Sequence, residues 1–219
     1  MRIGIDINGV LRDTIGKFTQ LYEKHLIESD QDSFMGETYQ IDMSGNTELI
    51  GEVVENFEYK KISEVTSLEM DKHFSFRNKE ELFSFMYEEY AMELFGHAPS
   101  TEMTSFNTLN DFYIEFRDDH EILIVSNEIG KSKPSSLFFL SKFGCLLEKV
   151  IFFSDVTKTN MWDNVDILLT ADPLLLLEKP KDKILIKFNT KYNMDVNSIY
   201  EIYSLSELNG FIKNEILKK

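Results

Sequence analysis

Four stretches in the second half of this chain carry uninterrupted apolar runs: EILIVS at 121–126, VIFFSD at 150–155, VDILLT at 165–170 and KILIKF at 183–188. A strand wetted on one side alternates apolar and polar residues. One covered on both sides need not, so these runs predict strands of a parallel sheet. Helical spacing lies between some of them, most visibly in SSLFFLSKFG at 135–144. Strand, helix and strand in repetition predict a doubly wound α/β sheet of Rossmann type. Residues 2–6, RIGID, read as a further strand, and one short strand must join that same sheet.

The intervening chain has a helical period. Ile15, Phe18, Leu21, Tyr22 and Leu26 predict a helix over 15–27. Phe83, Tyr87, Tyr90 and Leu94 form the stripe of a second, with Gly96 as its stop. Phe106, Leu109, Phe112, Tyr113 and Phe116 mark a third, and Leu205, Leu208, Phe211, Ile212 and Ile216 mark a docking helix over 205–217. These stripes read as core faces rather than cofactor contacts. Residues 28–78 are polar and mixed, and their pattern specifies no element. The expected organisation is a core domain of residues 1–13 plus 101–219, interrupted by a helical insertion at 14–100. An open parallel sheet carries its chemistry at the carboxyl ends of its strands.

Composition narrows the class. No apolar run of this 219-residue chain is long enough to span a bilayer, and Met1–Ile5 reads as a strand rather than a leader. A single cysteine, Cys145, excludes an intramolecular disulfide and fits a reducing, cytoplasmic setting. With 38 acidic residues against 23 Lys and Arg, net −15, binding along a phosphate backbone is disfavoured. A small anionic ligand requires local cations against that field. The histidines (His25, His73, His97, His120) show no ligand or triad spacing. Cys145 and Trp162 read as packing residues.

The strand exits supply the candidate chemistry. The first delivers Asp6 and Asn8, and the second Ser126 and Asn127. The third is followed by Asp155 and Lys158, and the fourth by Thr170, Ala171 and Asp172. A carboxylate, a hydroxyl, an ammonium and a second carboxylate form a set able to handle a phosphoryl group, with Mg²⁺ retained by the acids.

At these positions the chain resembles the haloacid-dehalogenase superfamily. IDINGVLRDT is similar to its first motif, a strand ending in Asp-x-Asp before Gly-Val-Leu, and LIVSN resembles the motif that supplies Ser or Thr. The nearest likeness is to the 5′(3′)-deoxyribonucleotidases, with FFSDVTKTN, DILLTADP and ILIKFNTKYN at the later motif positions. The resemblance covers residues 1–14 and about 105–205; the insertion matches a helical cap in position only. It implies Asp6 as nucleophile, Ser126 and Lys158 as phosphate holders, and Asp6, the Asn8 carbonyl and Asp172 as Mg²⁺ ligands. A rival alignment through KPSSLFF makes Lys133 the phosphate lysine and Asp155 the metal ligand. The need for one more strand before the metal-binding strand favours Lys158.

Two positions depart from the pattern. Asn8 stands where the family's proton-exchanging acid belongs, and an amide has no usable pKa near neutrality. General acid–base assistance is worth about 10²–10⁴-fold, so hydrolysis is expected to be slowed on that order. Thr170 and Ala171 stand where two aspartates are expected, leaving Asp172 either as metal ligand or as a turn former before Pro173. The expected function is a phosphatase-type protein of weakened catalysis, acting on or binding a small phosphorylated metabolite or nucleotide. The alternative is an inactive binding or assembly module with a protein partner. A phosphotransferase using a donor with a good leaving group is a third possibility.

Overall fold

The computed structural model describes residues 1–34, 39–41, 47–49, 62 and 64–217, with the backbone alone considered for 28–34, 39–41 and 47–49. Strand β1 (Arg2–Asp6) is followed by helix α1 (Thr14–Phe34), a short antiparallel pair β2 (Tyr39–Ile41) and β3 (Thr47–Leu49), and helices α2 (Met70–His73) and α3 (Lys79–Ser84). Helix α3 runs on through two π-helical turns, Phe85–Glu89 and Met92–Gly96. Then come α4 (Ser105–Phe116), β4 (Glu121–Asn127), α5 (Ser132–Lys142), β5 (Val150–Phe153), α6 (Lys158–Asp163), β6 (Ile167–Thr170), α7 (Pro173–Leu177), β7 (Ile184–Phe188) and β8 (Glu201–Ile202). A 3₁₀ turn at Leu205–Glu207, α8 (Leu208–Phe211) and a π turn at Ile212–Ile216 follow.

The main sheet has six strands, all parallel, in the order β5-β4-β1-β6-β7-β8. This is a Rossmann-like α/β arrangement, and the apolar runs explain it. Ile3 and Ile5 of β1, Ile122 and Ile124 of β4 and Ile167 and Leu169 of β6 face one apolar layer; Leu123, Val125 and Leu168 face another with Trp162 and Leu175. The chain leaves β1 for β4 and β5 on one side, then returns to place β6 on the other. Strand β1 is therefore the switch point, where a crevice opens at the carboxyl edge.

A third apolar cluster lies within residues 14–100, built on Phe18, Leu21, Tyr22, Phe74, Phe85 and Phe95. The chain enters and leaves this segment through adjacent backbones. Asp13 N–H donates to the Pro99 carbonyl at 3.0 Å, and Thr101 N–H donates to that of Leu11 at 3.0 Å. Between residues 28 and 78, where the pattern specifies no element, the described residues form the end of α1, which runs past the expected 15–27, and then β2, β3 and α2. The remainder of that stretch (35–38, 42–46, 50–61 and 63) lies outside the described residues.

The stripe expected from Phe83 to Leu94 is rotated, and the reason is local. Tyr90 N–H bonds to the Phe85 carbonyl and His97 N–H to that of Met92, five residues back, so the 3.6-residue phase slips. Phe85 becomes the buried ring, while Phe83 is 46% exposed. Gly96 ends the helix without a left-handed turn. A Cβ there would meet Met92 Sδ at 2.8 Å and the Ser135 carbonyl at 3.3 Å, so its value is the close approach of α5. Among the described residues no helix is long and apolar enough to cross a membrane.

Candidate functional site

Asp6 ends the central strand and is 3% exposed. Its Oδ2 accepts the Thr170 hydroxyl at 2.7 Å and its Oδ1 accepts the Asn8 N–H at 3.2 Å. It forms one wall of a cavity of about 290 Å³. Asn127 and Asp172 join it from the sheet edge, Tyr192 from the loop after β7, and Phe18, Met86, Tyr87 and Phe95 from the 14–100 segment. Aromatic and thioether walls around a polar floor suit a small organic ligand.

Burial pushes the Asp6 carboxyl from 3.8 up to about 7; nearby Asp172 adds to the rise, while the Thr170 hydroxyl, the Asn8 N–H and Arg12 oppose it. Burial also raises Asp172. Tyr87 is pushed up to about 12 by burial and by Glu128 and Asp155. Tyr192 is raised in the same way, by burial and then by Asp6, Asp13 and Asp172. Both phenols therefore stay protonated and able to donate at neutral pH. Among the described residues, no lysine or arginine lines the cavity. Two carboxyls held above their ordinary values are the donor set that a hard divalent cation relieves, since Mg²⁺ typically takes one or two carboxylates and keeps its other positions for water and ligand oxygens. Asp6 and Asp172 fit such a cation by chemistry.

Asp172 has two roles. It lines the cavity, and its Oδ1 caps α7 by accepting Leu174 N–H at 2.8 Å. Thr170 is equally occupied: its hydroxyl accepts Asp172 N–H at 3.0 Å while donating to Asp6. Ala171 is fully buried, and its carbonyl accepts the Asn193 side chain at 2.9 Å.

The two residues expected to hold phosphate are engaged elsewhere. Ser126 is fully buried and donates to Glu128 Oε1 at 3.1 Å. Lys158 opens α6, does not line the cavity, and is paired with Glu178, which raises its pKa. Lys133, the rival, is exposed on α5.

Sequence reasoning missed the residues behind Asn8. Arg12 is fully buried, and its five N–H donors all find oxygen acceptors. Nε reaches Thr14 at 3.2 Å; Nη1 reaches the Phe95 carbonyl and Ser136 Oγ, both at 2.7 Å; Nη2 reaches Asn8 Oδ1 at 2.6 Å and Glu128 Oε1 at 2.5 Å. Asn8 Oδ1 also accepts Thr14 Oγ1 at 2.7 Å, and Asn8 Nδ2 donates to Ser126 Oγ at 3.2 Å. The only signals were an arginine directly after the apolar pair Val10 and Leu11, and an acid directly after SN.

Gly9 sits at φ 76°, and a Cβ there would lie 1.8 Å from Tyr192 Oη and 2.8 Å from Ala171 Cβ. Gly9→Ala is expected to cost about 2–4 kcal/mol from left-handed strain and overpacking together. Denaturant midpoints measure this. Gly9→Ala with Tyr192→Phe should recover part of the loss, because the nearest clash is with the phenol oxygen.

Compared with known proteins, the chain matches no family model and no curated protein.

Proposed function

We propose that this chain is a phosphatase-type protein of the haloacid-dehalogenase kind, similar to 5′(3′)-deoxyribonucleotidases, whose cavity takes a small phosphorylated metabolite or nucleotide with Mg²⁺. One observation carries the reading: Asp6, at the end of the switch-point strand, lines a ligand-sized cavity that Asp172 also lines. In this reading ionised Asp6 attacks phosphorus through one carboxylate oxygen as the P–O bond to the leaving group breaks. The departing alkoxide takes a proton from water, and a second water then hydrolyses the aspartyl phosphate to release phosphate and regenerate Asp6. Asp6, the Asn8 carbonyl and Asp172 would hold Mg²⁺, whose charge offsets that of the phosphate. Tyr87 and Tyr192, both protonated, would donate to the ligand. Ser126 and Lys158 would reach phosphate only by leaving Glu128 and Glu178. The 14–100 segment, acting as a cap, would select the ligand and exclude water. A cytoplasmic setting belongs to the same proposal and rests on the single cysteine.

Turnover is expected to be slow, because Asn8 cannot supply or accept the proton that the leaving oxygen and the attacking water require. With Mg²⁺ and p-nitrophenyl phosphate or nucleoside monophosphates, the parent should show measurable hydrolysis that Asp6→Asn abolishes. A parent no faster than Asp6→Asn on every substrate would overturn the enzymatic reading.

The second reading, a silent binding or assembly module, is favoured by a specific feature. The amide at position 8 is tied on both sides into a buried network, with Arg12 and Thr14 on its oxygen and Ser126 on its nitrogen. Phosphate-ester binding without turnover, measured by calorimetry with Mg²⁺, would support it.

A further inference from the structure

Asn8, Ser126, Glu128 and Arg12 close a ring of hydrogen bonds. Asn8 Nδ2 donates to Ser126 Oγ, Ser126 donates to Glu128 Oε1, and Arg12 Nη2 donates both to that same oxygen and to Asn8 Oδ1. The direction of each bond is forced. A guanidinium only donates, so the amide oxygen of Asn8 must face it and the amide nitrogen must face Ser126. A carboxylate accepts only, so the single Ser126 proton points to Glu128. We infer that Glu128 and Arg12 are positioning residues that hold position 8 in its amide form, Glu128 supplying within the network the one negative charge that Arg12 balances.

The charge count supports this assignment. Arg12 and Glu128 side chains are both 0% exposed, so bulk solvent screens neither. If Glu128 served only as an acceptor, glutamine would suffice, because Arg12, Ser126 and Ser136 all bond to the one oxygen, Oε1. Oε2 is buried and finds no hydrogen-bond partner among the described residues. What it adds over glutamine is charge. A carboxylate at position 8 would place two anions on one cation, beside Asp6. It would also turn the 3.2 Å contact with Ser126 into a meeting of two acceptors. The amide at position 8 and the acid at 128 are thus one feature, divided between two strand ends 120 residues apart.

The test is a double-mutant cycle with Asn8→Asp, Glu128→Gln and the pair, read first as thermal midpoint without metal or ligand. Each single change unbalances a buried charge, and each is expected to lower the midpoint by about 6–15 °C for a chain of this size. The pair restores one anion per cation and is expected to recover at least half of the summed loss. Losses that simply add, or an Asn8→Asp protein as stable as the parent, would overturn the inference. Should either single variant fail to fold, a folded pair supports it and an unfolded pair overturns it. This stability readout does not depend on the proposed phosphatase activity. A second arm does, and measures hydrolysis of p-nitrophenyl phosphate with Mg²⁺. Here the pair, and not Asn8→Asp alone, is expected to gain about 10²–10⁴-fold over the parent by restoring the proton-exchanging group. A pair that recovers stability but gains no turnover upholds the charge coupling and counts against the phosphatase reading. A single Asn8→Asp as active as the pair counts against Glu128 as the residue that holds the amide.

Discussion

Arg12→Met is expected to destabilise the protein by about 3–5 kcal/mol, the usual cost of stranding one member of a buried ion pair. Three effects contribute. Glu128, fully enclosed, loses its ion-pair partner, and a buried unpaired carboxylate is penalised far more than an absent one. Asn8 and Ser136 lose a charged donor, as does the Phe95 carbonyl. The guanidinium also lies 5.0 Å from the Phe95 ring centroid and 5.4 Å from that of Phe139, contacts worth about 0.5–2 kcal/mol each in a desolvated setting. Methionine fills similar space against those rings, so most of the loss is electrostatic. Arg12→Met with Glu128→Leu, which removes both charges, should therefore lose less than Arg12→Met alone, as read from urea midpoints at constant slope. A double variant less stable than the single one would show that packing and hydrogen bonds, rather than charge, dominate at Arg12.

The second large effect depends on pH and comes from Asp6. Its carboxyl titrates near 3.8 when unfolded and about 7 when folded, because burial opposes ionisation. Between these values the folded chain retains a proton that the unfolded chain has released. Stability therefore falls as pH rises, by about 1.4 kcal/mol per unit and on the order of 4 kcal/mol across the window. The stabilisation is complete below about pH 4 and gone above about pH 7. Asp6→Asn removes this one contribution. With EDTA present, the variant should gain on the parent steadily from pH 4.5 to 7.5 and hold a constant lead above that. A stability difference that does not change across this range would mean that Asp6 ionises at an ordinary value. Asp172 is raised for the same reason and slopes in the same direction, but it is present in both proteins and largely cancels.

The strands that build the sheet were readable because double-sided burial leaves a mark on each of them. β4, β5, β6 and β7 fall on the four apolar runs, and β1 falls on RIGID at 2–6. Strand β8, two residues long, and the short helices α6 and α7 leave no period to detect. The π turns were hidden for another reason: the residue spacing of a helix does not reveal where its hydrogen bonds slip by one. At the site, Asp6 and Asp172 were legible as strand-end acids. The partners that decide what Ser126, Asn8 and Lys158 can do were not. Arg12 meets Glu128 across 116 residues, and Glu178 takes the Lys158 ammonium from 20 residues away. Local pattern names the groups at a strand end; only the folded chain determines which of them are already spoken for.

The strand order also bears on how the molecule is made. Strand β1 has no partner of its own in the first half of the chain: Arg2 pairs with Glu121, and Ile3 with both Ile122 and Ile167. At about 5–20 residues per second, a nascent chain carries this apolar strand unpaired for several seconds or longer before β4 has been synthesised. Throughout that interval its open edges can pair with any exposed strand nearby. Yield on expression should therefore respond to chaperone supply and to translation speed more than the stability of the finished protein would suggest.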